Sequence, residues 1–311
     1  MGKDVWWPQP KHALLLAGAA AALFGSAVAA KTFGDWGAPV NAETLSGSSS
    51  MLNTPSNDGC PILDPYTNDL YMATNRPGGQ GGQDIWIAHW NGSGWDTPVN
   101  AGTNINTSAD EFCPSPARGN RLFFVRGTLP SGPTDIFVSK HHPKNGFGPA
   151  ERLPTGDNAI NSPAQEWSPS WFEAGGNEYL YFSSTREGRQ RIYYSVNYGP
   201  AQLAQGGVNT SDPSVQDARP NVRHDGLEIV WDSTRTGTLG GPDIWTATRS
   251  SVDEPWGTAE HLVNGISSPG ADTRASLSWD GSRLMFGSAG RSDNEGAGAD
   301  IYTATRGTSG D

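Results

Sequence analysis

One pattern recurs five times along this chain, and it constrains the fold more than any other feature. A short strand-like segment opening on Asp-Ile-aromatic appears at Asp84-Ile85-Trp86, Asp135-Ile136-Phe137, Arg191-Ile192-Tyr193, Asp243-Ile244-Trp245 and Asp300-Ile301-Tyr302, at spacings of 51, 56, 52 and 57 residues. Upstream of each lies a second apolar segment, such as Leu122-Phe123-Phe124 or Ile229-Val230-Trp231, preceded by a turn such as Asn68-Asp69 or Asp225-Gly226. Four of these segments lead into an arginine: Arg76, Arg186, Arg235 and Arg291. A third landmark keeps the same step, an acid three positions before a proline: Asp58/Pro61, Glu111/Pro114, Glu166/Pro169 and Asp217/Pro220, with Thr273/Ser276 in fifth place. Each copy therefore holds four short strands with tight turns. Four antiparallel strands repeated every 51–57 residues describe a propeller blade.

The outer strand indicates how such a ring closes. Trp95-Asp96-Thr97-Pro98-Val99-Asn100 in the first copy is nearly repeated near the N-terminus as Trp36-Gly37-Ala38-Pro39-Val40-Asn41. The fifth copy runs out after its third strand, so the N-terminal segment is expected to supply the missing fourth and leave no open edge. The expected fold is all-β, a five-bladed propeller of four-stranded antiparallel blades whose last blade is closed by the N-terminal strand. Forty glycines and 23 prolines agree with it, because long helices tolerate neither. A net charge of −11 argues against a nucleic-acid partner, which would need a basic stripe.

These residues carry a family resemblance. The stretch DGCPILDPYTNDLYMATNRPGGQGGQDIWIAHWNGSGWDTPVN resembles the WD40-like (PD40, TolB-type) β-propeller repeat. It is most similar to the bacterial envelope variant that reads roughly N-x-x-x-x-E-x-x-P, DG-x-x-L-Y-F-S-S-x-R-x-G-G, D-I-Y. The resemblance extends over residues 33–306 and is best in copies one, three and four. Copy two departs from it by placing Thr128 where the arginine is expected, and copy three by placing Arg191 where Asp is usual. Membership would imply an extracytoplasmic propeller and little about activity, because such repeats serve binding, scaffolding and polysaccharide-degrading proteins alike.

The N-terminus agrees with export. Lys3 and Lys11 precede an apolar run from Ala13 to Ala30 ending in Ala27-Val28-Ala29, which reads as a signal peptide over residues 1–29. An uncleaved anchor is the competing reading. Residues 30–311 are then one propeller domain, periplasmic or secreted, without a lipoprotein cysteine and without membrane insertion after cleavage. It is expected to be a monomer. In that compartment Cys60 and Cys113, at the same repeat position in adjacent copies, can form a disulfide.

Equivalent residues of a propeller share one height around the axis. Asp58, Glu111, Glu166 and Asp217 are therefore expected to form a ring near one mouth of the central channel. They could act as paired catalytic carboxylates, or hold Ca²⁺ through hard oxygen ligands. They could equally be repeat-consensus acids that accept backbone N–H groups at the crossover between blades. No other cofactor is called for. Where the copies differ, Phe112 and Trp167 stand in one sector and Arg219 and Arg274 in another, a set suited to a glycan or an anionic sugar polymer. Asp232 is an unexplained polar insertion, His224 a solvated turn residue, and the recurring Asp and Arg are expected to pair with each other. The primary reading is a binding or scaffold propeller that recognises a glycan, an envelope component or a protein at the channel mouth. The alternative is a glycoside hydrolase or polysaccharide lyase using the axial carboxylates.

Overall fold

The computed structural model describes residues 33–308; residues 1–29, expected from the sequence to be a signal peptide, lie outside them. Five antiparallel sheets surround a central axis. The inner strands are Asp58–Leu63, Asp110–Ala117, Glu166–Ala174, Asp217–Val222 and Ala271–Leu277. Each is followed outward by a second and a third strand, in blade four Glu228–Ser233 and Asp243–Thr248. Short two-residue strands form the periphery, among them Val99–Asn100, Gln202–Leu203 and Glu260–His261. The one helical segment among the described residues is a 3-10 turn, Ala42–Thr44.

The middle strands read as continuous apolar runs because both their faces are covered by neighbouring blades. Leu122, Phe123, Phe124 and Val125 are all essentially buried, as are Ile229, Val230 and Trp231. The core accordingly lies between blades; one cluster joins Phe112, Phe123 and Ile136 of blade two to Trp171 and Phe182 of blade three. Trp95, Phe147 and Trp256 anchor the outer strands in it, with Trp36 half-buried in the corresponding place.

Val40–Asn41 pairs with the last strand, Val40 opposite Thr303 and Asn41 opposite Tyr302, so the N-terminal segment completes blade five. Backbone bonds from Gly34 N to Gly307 O (3.0 Å) and Gly37 N to Thr305 O (2.8 Å) extend the seam. Arg306 locks it. Its guanidinium lies 3.8 Å from the Phe33 ring and 4.2 Å from the Trp36 ring while pairing with Glu228 of blade four through both nitrogens.

Every inner strand breaks register at the same place, between residues such as Gly59/Ile62 and Thr273/Ser276. The bulge residue is left-handed each time: Cys60, Cys113, Ser168, Arg219 and Arg274 have φ between 48° and 58°. This register corrects the fifth copy. Asp272 faces Ser288 as Asp217 faces Ser233, so Asp272, not Thr273, is the fifth acid, and Arg274 is the equivalent of Arg219. The three-residue spacing to a proline misled there because Ala275 has replaced the proline.

The seam also gathers carboxyls. Burial, then the charges of Glu295 and Asp300, push Glu43 up to about 7. Burial, then the Asp58 charge, push Asp300 up to about 6. Both hold protons to higher pH folded than at their ordinary values of 4.5 and 3.8, so this cluster favours folding at low pH and loses that contribution as pH rises from about 4 to 7. The fall in Tm between pH 5 and 7.5 is therefore expected to be smaller in Glu43→Gln than in the wild type. Parallel Tm profiles for the two proteins would contradict the assignment.

Candidate functional site: the axial channel and its two mouths

The recurring acids, arginines and aromatics meet inside each blade. Asp58 accepts from the Thr54 N–H (2.7 Å) and hydroxyl (2.8 Å) and pairs with Arg76 at 2.7 Å. Glu166 is held the same way by Ser162, Ser184 and Arg186, Asp217 by Thr210, Ser233 and Arg235, and Asp272 by Ser268, Ser288 and Arg291. Each arginine also covers the aromatic of the Asp-Ile-aromatic triplet: Arg235 lies 5.1 Å from Trp245 and Arg291 4.8 Å from Tyr302. In blade two, where Thr128 takes the expected position, Arg126 does this work from two residues earlier, bonding Glu111 at 2.7 Å beneath Phe137.

The arginines therefore do not pair with the triplet aspartates, contrary to the sequence expectation. Those aspartates face the outer strand instead: Asp84 accepts from Asn100, Asp135 pairs with Arg152, Asp243 meets His261 and Asp300 accepts from Asn41. In blade three Arg191 replaces the aspartate, and its outer-strand counterpart is the apolar Leu203, so acid and partner are absent together.

The ring of carboxylates is thus present in sequence order but not gathered at the axis. Asp58, Glu111, Glu166 and Asp217 are fully buried, and none lines the channel. Each is neutralised within its own blade, so neither a shared Ca²⁺ nor an acid/base pair is assembled from them; among the described residues no group of three or more His, Cys, Asp or Glu is placed to hold a metal. Burial raises the Glu166 carboxyl, while the Ser162, Ser184 and Arg186 contacts lower it.

What lines the channel at this end is the bulge ring itself with its prolines: Cys60, Cys113, Ser168, Arg219, Arg274 and Pro61 among them. Cys60 and Cys113 form the disulfide, with Cα atoms 4.8 Å apart. Arg219 is clasped by both oxygens of Asp232, and the same carboxylate accepts the Arg274 backbone N–H at 3.0 Å. Ser183, one blade back, accepts the Arg219 N–H at 3.2 Å, so Asp232 satisfies a bulge amide of the next blade. Phe112 is 1% exposed and packs on Trp167 at 5.1 Å, which makes it an inter-blade filler and removes it from the candidate ligand surface. Trp167 remains half-buried beneath Arg219.

The cavity at this end is about 30 Å³, room for little more than a water or two. A sugar cannot enter it. A second cavity of about 30 Å³ shares Ile62 and Asn221 with the first and reaches the opposite mouth. Three inner-strand turns bring aromatic rings together at that mouth. Trp279 of blade five stacks on His224 of blade four (4.6 Å between centroids, 22°) and lies 6.3 Å from Tyr66 of blade one. Tyr66 is 63% and Trp279 40% exposed, whereas His224 is half-buried with Nδ1 lacking a partner among the described residues. Tyr66 and Trp279 escaped the sequence reading because each aromatic occurs once among the recurring inner-strand turns, and His224, expected to be solvated, is stacked on Trp279 instead.

No family model and no curated protein matches the sequence. Solved structures do. A thermostable family-43 glycoside hydrolase is similar at 15% identity over 83% of this chain and 91% of its own, with a TM-score of 0.55. The GH43 endo-arabinanase from Bacillus licheniformis follows at 11% identity over 82% and 93%, TM-score 0.53. The catalytic domain of the Coprinopsis cinerea GH62 α-L-arabinofuranosidase is similar at 11% over 90% and 98%, TM-score 0.51. The likeness is one of fold. It agrees with the five-bladed ring and, at such identities, carries no residue roles across.

Proposed function

We propose that this protein is an exported carbohydrate-binding propeller that holds a glycan across the mouth formed by Tyr66, Trp279 and His224. The observation that carries the reading is the exposure of Tyr66 and Trp279 over a channel too narrow to admit a sugar. Aromatic faces left in solvent beside a polar mouth are the surface on which sugar rings stack. His224 backs the Trp279 ring by stacking on it at 4.6 Å. Extracytoplasmic placement, and kinship with the WD40-like repeat, rest on the export-type N-terminus and the repeat motifs. Among the described residues no helix is long and apolar enough to cross a membrane.

The second reading is a carbohydrate-active enzyme, favoured by the fold likeness to enzymes named for arabinan degradation. Against it stands the locking of Asp58, Glu111, Glu166, Asp217 and Asp272 into their own blades, since glycoside hydrolysis ordinarily needs two carboxyl groups facing one bond. Arabinan and polygalacturonate are the first probes. Trp279→Ala is expected to weaken binding at least about tenfold, one lost stacking contact of about 1.5 kcal/mol, without new reducing ends appearing in either protein. Retention of neither polymer by the wild type would overturn the binding reading. Release of reducing ends by the wild type, abolished in Glu166→Gln, would replace it with the enzyme.

A further inference from the structure

The two arginines of the bulge ring differ in one respect that decides their use. Arg219 is neutralised by Asp232, and that carboxylate is filled by the Arg219 guanidinium of blade four and the Arg274 backbone N–H of blade five. The Arg274 guanidinium has no ion pair and no hydrogen-bond acceptor among the described residues, and its Nε is buried. It extends from blade five across Gly59 of blade one, where a Cβ would lie 3.1 Å from Nη1; Phe112, Trp167, Ala218 and Thr273 fill the equivalent positions elsewhere. Ser168 lines the same cavity, is 7% exposed, and its hydroxyl also lacks a partner.

The cavity therefore carries one uncompensated positive charge, an unused hydroxyl donor and no carboxylate in its lining. Arg274 as a whole is half-buried, so its cation is partly desolvated without a counter-charge of its own, which favours an anion beside it. Burial, and then the like charge of Arg219, lower Arg274 to about 10, which leaves it charged at neutral pH.

We infer that the bulge end of the channel is an anion site, in which Arg274 and Ser168 bind one small monovalent anion of chloride or carboxylate size. At about 30 Å³ the cavity accepts a halide or a single carboxylate group and excludes larger oxyanions with their hydration. The carboxylate could come from a free small acid or from a uronate residue presented at this mouth, and the same chemistry would hold either. The site stands apart from the aromatic mouth and does not depend on the glycan reading.

The test follows Tm in a buffer whose only anion is a bulky sulfonate, with sodium chloride, sodium acetate or sodium galacturonate titrated at matched ionic strength. Wild-type Tm is expected to rise saturably, by about 3–6 °C at a hundredfold excess over Kd. Arg274→Met is expected to show no anion-dependent rise. Ser168→Ala should keep the rise but shift its midpoint about tenfold, the worth of one hydrogen bond to an anion. Saturation by chloride or acetate identifies a free anion, and saturation by galacturonate alone a sugar-borne one. An unsaturable rise, no rise, or an equal rise in Arg274→Met would overturn the site; if Arg274→Met does not fold, Arg274→Gln and Ser168→Ala read the same outcomes.

Discussion

Arg235→Met is expected to destabilise the folded chain by about 3–5 kcal/mol, the penalty for leaving a buried carboxylate without its cation. Asp217, fully buried, would keep only the Thr210 N–H, the Ser233 hydroxyl and Trp231 Nε1–H, none of which supplies charge. The variant would also lose the guanidinium between Trp231 and Trp245, at 5.1 Å from each ring, and two bonds to the carbonyls of Gly207 and Val208 that hold the incoming loop. Urea denaturation measures the loss, and a change below about 1 kcal/mol would show that the acid–arginine pair is not what fastens a blade. The same measurement separates a structural acid from a catalytic one. Glu166→Gln should lower stability while leaving ligand affinity of the folded protein unchanged, because its carboxylate touches only Ser162, Ser184 and Arg186.

The periodic part of this organisation was legible in the sequence, and for a physical reason. A blade needs its acid, its arginine and its triplet aromatic at one point, so the three must recur in step, and both the fold and the N-terminal closure follow from reading that step. Pairing within the step was not legible. Spacing shows that Asp84 and Arg76 recur, but only the register shows that one turns to Asn100 and the other to Asp58. Arg126 shows the converse: a role can survive when its position moves, since a side chain two residues earlier on the same face of a strand reaches the same acid. Singletons were the hardest. Tyr66, Trp279 and His224 sit in recurring turns but as residue types that do not recur, and the turns that bring them to one mouth meet because the ring closes.

Removing the disulfide by Cys60→Ala with Cys113→Ala is expected to cost about 4 kcal/mol, lowering Tm by about 10 °C. The bridge spans a sequence separation of 53 residues, and a crosslink of that length removes a large share of the unfolded chain's freedom. It joins the bulge residues of blades one and two on the side of the ring where no counterpart of the Ser276–Pro61, Asn221–Leu277 or Ser170–Val222 bonds is found among the described residues. Those polar stitches tie blades five to one, four to five and three to four across their inner strands. The covalent link thus takes the place of an inner-strand stitch between blades one and two, which are otherwise joined by bonds farther out such as Glu111 N to Gln83 O (2.7 Å), and its loss should open the ring there before the N-terminal seam yields. Hydrogen exchange in the double variant is expected to show early loss of protection in Asp58–Leu63 and Asp110–Ala117, with the strand Ala299–Thr305 protected to the end. Uniform loss around the ring, or early opening at the seam with Arg306, would show that the N-terminal closure, rather than the first pair of blades, is the weaker joint.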